Sequence, residues 1–169
     1  VDDDEFYTPI VALEANNYEN KISQLIGSLY AEYAINDHLK FKTTVSHQNR
    51  TTTQRYYQFN IIPTSNSRNG WAKTGDLSKR VNTNTNTLNY KNKFGKHKVS
   101  FILGQSLEWF ESEGVKTSNY GFANDILTYF APNTATFTTP DIYSYSDSRL
   151  ASFFGRYNHS LGNKYLITL

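Results

Sequence analysis

Few side chains in this sequence are spaced for covalent or acid–base chemistry. There is no cysteine, which excludes a thiolate nucleophile, a disulfide framework and a zinc knuckle. The histidines His38, His47, His97 and His159 never fall at the i,i+4 or H-x-H spacing that aims two imidazoles at one metal. His38 and His97 occupy short turns, where a solvated role is expected. Glu32 and Glu108 alternate with small or polar residues, and nothing in their placement sets them the ~5–9.5 Å apart that a glycosidase pair needs. Asp2-Asp3-Asp4-Glu5 lacks the glycine and distal glutamate of an EF-hand loop and reads as solvated linker. Asn49-Arg50-Thr51 and Asn158-His159-Ser160 fit the glycosylation sequon, a pattern that an Asn-rich chain produces by chance. Neither catalysis nor a bound metal or cofactor is expected.

Binding chemistry is better represented. Tyr56, Tyr57, Phe59 and Trp71 fall in one polar stretch, and Tyr120, Phe122, Tyr129, Phe130, Phe137, Tyr143 and Tyr145 in another. Flat sugar faces stack on such rings while neighbouring Asn and Asp side chains supply hydrogen bonds. Trp71, Tyr120, Phe122, Asn124 and Asp125 are therefore candidate ligand contacts. The competing reading is that these side chains pack the loops on one another.

The elements that must position them follow from composition and periodicity. The chain has 169 residues, 38% of them hydrophobic, with 13 Tyr, 11 Phe and 2 Trp, and Asn, Ser and Thr make up 51. Only 19% are charged. Polar, weakly charged, aromatic-rich chains favour strands over helical bundles. A net charge of +2 without a dense Lys/Arg block gives no electrostatic footprint for nucleic acid. The longest apolar run is Ile10 to Leu13, far short of the ~20 residues of a transmembrane helix.

Period-two alternation is the dominant pattern. From Ser23 to Ile35, Leu25, Gly27, Leu29, Ala31, Tyr33 and Ile35 share one face. After Asn36-Asp37-His38, the residues Leu39, Phe41, Thr43 and Val45 oppose Lys40, Lys42, Thr44, Ser46, Gln48 and Arg50, which makes a hairpin. A second hairpin sets Leu88, Tyr90 and Phe94 against Thr87, Asn89, Lys91 and Lys93, turns at Gly95-Lys96-His97, and continues through Val99, Phe101, Leu103, Leu107 and Trp109. A third runs from Leu150 through Phe153, Gly155 and Tyr157, opposite Ser152, Arg156 and Asn158, to a turn at Gly162-Asn163 and a last strand from Tyr165. These strands are expected to be about ten to thirteen residues long, the ~9–11 needed to cross hydrocarbon at a tilt.

Short turns at 36–38, 95–97 and 162–163 alternate with links of more than thirty residues, from about Thr51 to Asn82 and from Ser112 to Asp147. All short turns then fall at one end of the strands and all long loops at the other, as in transmembrane β-barrels. Tyr33, Phe41, Tyr90, Phe94, Tyr157 and Tyr165 lie near the short turns, where a bilayer interface takes aromatic rings. The barrel reading puts Leu25, Leu29, Phe41, Val45, Phe101, Leu103 and Phe153 against lipid and Lys40, Lys42, Arg50, Lys91, Lys93 and Arg156 in a water-filled lumen. The alternative is a soluble all-β carbohydrate-binding sandwich that would bury the apolar set and use the same loop aromatics. The start at Val1 and the end at Leu169, inside an apolar alternation, lead us to expect an internal segment of a longer chain.

Asp147-Ser148-Arg149-Leu150-Ala151-Ser152-Phe153-Phe154-Gly155-Arg156-Tyr157-Asn158, followed by Lys164-Tyr165-Leu166-Ile167-Thr168, resembles a segment of the SusC/RagA family of TonB-dependent outer-membrane receptors. Pro9-Ile10-Val11-Ala12-Leu13, Tyr30-Ala31-Glu32-Tyr33 and Phe122-Ala123-Asn124-Asp125-Ile126-Leu127 fit the same family in order and spacing. His159 departs from it, standing where an aromatic is common, and residues 51–80 match little. The resemblance implies about six strands of a 22-stranded barrel, with residues 1–169 wholly within the barrel domain and an N-terminal plug outside them. It also implies short periplasmic turns and long extracellular loops. In function it implies import of oligosaccharides or peptides across the bacterial outer membrane, with a SusD-like surface lipoprotein as lid and TonB-ExbB-ExbD acting through the plug. The inward basic residues then contact the plug or select an anionic substrate.

Overall fold

The computed structural model describes residues 15–61, 68–162 and 164–169, so the readings of 2–5, 9–13 and Asn163 lie outside the described residues. One antiparallel sheet accounts for the described chain. Its strands β1 (Asn16–Ala34), β2 (Leu39–Gln58), β3 (Trp71–Phe94), β4 (His97–Tyr120), β6 (Ile142–Leu161) and β7 (Tyr165–Thr168) lie side by side in chain order. The two-residue β5 (Phe137–Thr138) pairs with the end of β4. No α-helix occurs among the described residues; two short 3₁₀ turns, Thr128–Phe130 and Pro132–Thr134, interrupt the second long loop. Six main strands in a meander match the expected architecture.

Strand length does not match. β1 to β4 run 19, 20, 24 and 24 residues rather than ten to thirteen. The expected loops shrink accordingly to residues 59–70 and 121–141, because Arg50 to Gln58, Trp71 to Asn82 and Ser112 to Tyr120 are all in strand. These stretches are polar on both faces, so they carry no hydrophobic alternation although their backbones pair in the ladder.

Residues 24–49, 79–111 and 146–169 form one compact unit, and the described part of 1–23 with 50–78 and 112–145 forms another. In the first unit, cross-strand contacts fix which residues share a face. The Lys40–Glu32 ion pair and the Lys42 ammonium over the Tyr30 ring put even positions of β1 and β2 together. His47 bonds Asn82, Tyr90 stacks on Phe101, and His97 stacks on His159, which puts odd β2, even β3, odd β4 and odd β6 positions on the opposite face.

That second face holds all seven residues expected to meet lipid, together with Tyr33, Tyr90, Phe94, Trp109, Tyr157 and Tyr165. From Leu25 to Tyr33, Leu39 to Asn49, Asn82 to Phe94, Val99 to Trp109 and Ala151 to Leu161 it bears no Asp, Glu, Lys or Arg. Several of its polar members bond one another: Asn86 donates to Asn84, Asn84 to Thr43, and Asn92 to the Tyr90 hydroxyl. The other face carries Lys40, Lys42, Lys79, Lys91, Lys93, Lys98 and Arg156 against only Glu32 and Glu108. Within that band charge is sorted by face; beyond it the second face carries the Arg80–Glu111 ion pair, Asp147 and Arg149.

The sheet has no second layer among the described residues. Leu29 is 82% exposed, Phe153 79% and Leu103 55%, whereas a sandwich would bury them; Phe101 is half-buried beneath Tyr90. The turn at 36–38 forms as its residues direct, with the Asn36 side-chain oxygen accepting from the backbone N–H groups of His38 and Leu39. On the basic face the end of the Phe154 ring lies over Gly104, where an added Cβ would stand 2.2 Å from it. Gly104→Ala should therefore push this exposed ring off its rotamer and cost about 0.5–1.5 kcal/mol in the full-length protein. The loss should shrink in a Phe154→Ala background, as read by denaturant titration; equal losses in both backgrounds would refute the contact.

Candidate functional site

The second unit is built around an aromatic knot. Tyr57, Ala72, Phe122 and Tyr129 are buried together, with Phe59 and Ala135 packed against them. The Tyr57 ring meets Phe59 and Phe122 edge-on, each at 5.3 Å between centroids. Its hydroxyl donates to Asp125 Oδ1 at 2.6 Å, while Asp125 Oδ2 accepts the Asn60 N–H at 3.1 Å. Burial, reinforced by the Asp125 hydrogen bond and charge, pushes the Tyr57 phenol far above its ordinary range. The phenol therefore stays protonated at physiological pH and remains the donor. Gly70, at φ +77°, passes so close that a Cβ would lie 2.5 Å from the Tyr57 hydroxyl. Backbone bonds from Gly121 N–H to Arg68 and from Phe122 N–H to Asn69, each 2.7 Å, tie the loops together.

This knot absorbs most of the residues expected to touch ligand. Phe122 is in its interior, and Asp125 pins Tyr57. Asn124 accepts from the Ile126 N–H, a local turn contact. Tyr120 ends β4 and stacks on Phe137 at 5.1 Å, part of the β4–β5 pairing. Trp71 differs: it opens β3, and its indole N–H donates to Ser118 Oγ at 2.5 Å. Tyr56 approaches it edge-on at 6.3 Å, and the Lys73 ammonium stands 3.7 Å above its ring.

Tyr57 and Ala72 pack with the loops on one side of this unit's strands, and the other side is left open. There a groove of about 500 Å³ is lined by Tyr18, Gln54, Tyr56, Lys73, Lys116, Ser118, Thr139 and Ile142, among others. The Tyr56 hydroxyl donates to Asn16 Oδ1 at 2.5 Å, which locks its ring as a wall, and burial raises its pKa. Aromatic rings, hydroxyls and two ammonium groups on a concave surface are the groups that recognise polar ligands.

Of the six basic residues singled out from the sequence, Lys40, Lys42, Lys91, Lys93 and Arg156 fall on the basic face of the first unit, and Arg50 lies in the second. Lys91 and Lys93, with Lys98, line a second depression of about 640 Å³ in the first unit, beside Ser100 and Asn158. Lys40 is held by Glu32 at 2.9 Å. The histidine pair is the contact that spacing did not reveal: His97 and His159 stack at 5.2 Å and 9°, with Nδ1 of one 3.0 Å from Nε2 of the other. No group of three or more His, Cys, Asp or Glu capable of holding a metal occurs among the described residues.

No family model matches the chain. Among curated proteins it is 28% identical to TonB-dependent receptor P26 of Formosa agariphila over 95% of its own length, and 27% identical to TonB-dependent receptor P3 of the same organism over 89%. Among solved structures it superposes on the RagAB peptide transporter with a TM-score of 0.78 at 17% identity over 95% of its length. For the RagAB peptide importer in the open-open state the TM-score is 0.79 at 16% identity. The chain is similar to TonB-dependent receptors and has the fold of the RagAB transporter chains. It spans 17% and 15% of the length of the two curated relatives and 18% of each of these transporter chains, so the sheet is a segment of a barrel of that fold.

Within this barrel segment the knot should behave as a clasp on the loops. Tyr57→Phe leaves a part-buried carboxylate short of a donor, a loss of about 1.5–3 kcal/mol. It should expose residues 121–141 to protease at least tenfold faster in the full-length receptor; unchanged protection would show that Asp125 does not hold the loop.

Proposed function

We propose that this chain is a stretch of wall, about six strands of a probable 22-stranded barrel, in a receptor that imports oligosaccharides or peptides across the bacterial outer membrane. Residues 1–169 belong to the barrel domain, with the plug outside them. The turns at 35–38, 95–96 and 162–164 face the periplasm and the loops 59–70 and 121–141 the exterior. A SusD-like surface lipoprotein closes over the loops, and TonB-ExbB-ExbD pulls on the plug to open a path along the polar face. The wall itself performs no covalent chemistry.

One observation carries this reading: the sorting of charge between the faces of a one-layer sheet. The uncharged face, with aromatics near the turns, is what hydrocarbon and its interfaces accept. The basic face suits a wet lumen, where exposed lysines remain solvated or meet the plug. The peptide import named for the RagAB structures and the receptor names of the relatives support the transport class. No observation favours the soluble carbohydrate-binding module, whose sandwich core the sheet lacks.

The test places a charge on either face of one strand in the full-length receptor. Leu103→Arg should cost about 2–4 kcal/mol near the bilayer midplane. It should deplete folded, heat-modifiable receptor from outer membranes, while Ser106→Arg, one face over, assembles and retains uptake that a protonophore abolishes. Equal tolerance of both substitutions, or uptake indifferent to the proton gradient, contradicts the proposal.

A further inference from the structure

The groove beside Trp71 has a chemical bias that narrows the ligand. Its charged lining residues are Lys73 and Lys116, and no carboxylate is among the residues that line it. Among the described residues of this unit, the strand acids Glu19, Asp76 and Glu113 occupy the opposite parity, where they meet Arg55, Thr53 and Tyr143. Asp125 is engaged by Tyr57, and Asp141 accepts from Thr117. Neither groove lysine pairs with a carboxylate among the described residues. Lys73 is held instead by the Trp71 face, and the Lys116 stem lies against Gly75. Aromatic support positions an ammonium without neutralising it.

Besides Gly75 and Ile142, the lining offers the hydroxyls and amide of Tyr18, Gln54, Tyr56, Ser118 and Thr139, among others. Trp71 and Tyr56 are fixed by Ser118 and Asn16 before any ligand arrives. Side-chain hydroxyls beside rigid rings complement a polyhydroxylated ring. A peptide would need backbone partners, yet the floor strands spend theirs on the sheet ladder, and no acid stands in the lining to receive its amines.

We propose that this groove binds anionic oligosaccharides, sugar chains bearing carboxylate or sulfate, with Lys73 and Lys116 taking the charged substituents while Tyr18 and Tyr56 wall the sugar rings. This rests on the transport reading above and specifies its substrate. The net charge of +2 conceals it, because the acids that balance these lysines lie elsewhere.

The test uses the full-length receptor, purified from outer membranes and shown folded by heat-modifiable mobility, with calorimetric titration of four probes of equal length. These are a tetra-galacturonate, a sulfated galactan tetrasaccharide, neutral maltotetraose and tetra-glutamate. At least one charged sugar should bind about tenfold or more tighter than the neutral one, by charge-assisted hydrogen bonds to the lysines. The advantage should fall with rising salt. Which of the two binds separates carboxylate from sulfate recognition. Lys73→Gln/Lys116→Gln should erase the advantage, and Lys73→Arg/Lys116→Arg should restore most of it. Equal affinity for charged and neutral sugars, binding of tetra-glutamate alone, or no binding by folded receptor each overturns the inference while leaving the transport reading intact. A receptor absent from the outer membrane would instead overturn the transport reading.

Discussion

A sheet one layer thick has two faces and no interior, and everything else in this structure follows from how its charge is divided between them. The central strands pair with neighbours on both sides, so stability against the surroundings rests on what each face presents. One face presents Leu, Val, Phe and Tyr with amides that bond one another; the other presents lysines and hydroxyls. A medium that is apolar on one side and aqueous on the other is the only setting in which both are comfortable. The edges of β1 and β7 require further strands, which the barrel of the relatives supplies.

Function then divides along the strands. The unit containing 24–49, 79–111 and 146–169 carries the lipid-compatible band and the lysine-lined depression around Lys91 and Lys98. The unit containing 50–78 and 112–145 carries the knot and the groove. Within that unit one side is committed to holding loops and the other is free to meet a ligand. Tyr57 and Tyr56, adjacent in sequence, serve these separate tasks because strand alternation points them to opposite faces.

Much of this was legible in the residues. The alternation of Leu25, Leu29, Phe41, Val45, Phe101, Leu103 and Phe153 placed all seven on one face, and Lys40, Lys42, Lys91, Lys93 and Arg156 on the other. Strand ends were not legible, because alternation is visible only while one face is apolar; beyond Val45 or Trp109 both faces are polar and the pattern fades although the ladder continues. The groove was missed for the same reason. Lys73, Lys116 and Ser118 lay in segments read as loop, and the partnership of Trp71 with Ser118 spans 47 residues. Phe122 and Asp125 were expected to meet ligand and instead hold the knot, because nothing local distinguishes an aromatic that stacks on a sugar from one that packs beneath Tyr57. The stacking of His97 on His159, 62 residues apart, was likewise a matter of strand register.

The central claim, that one face meets hydrocarbon and the other water, is tested most directly by nitroxide labels in the full-length receptor reconstituted in lipid. Labels at Leu29, Leu103 and Phe153 should relax faster with oxygen, which partitions into the bilayer, and those at Lys42 and Lys91 with a water-soluble nickel chelate. Preferential collision of the chelate with the first three labels would contradict the account.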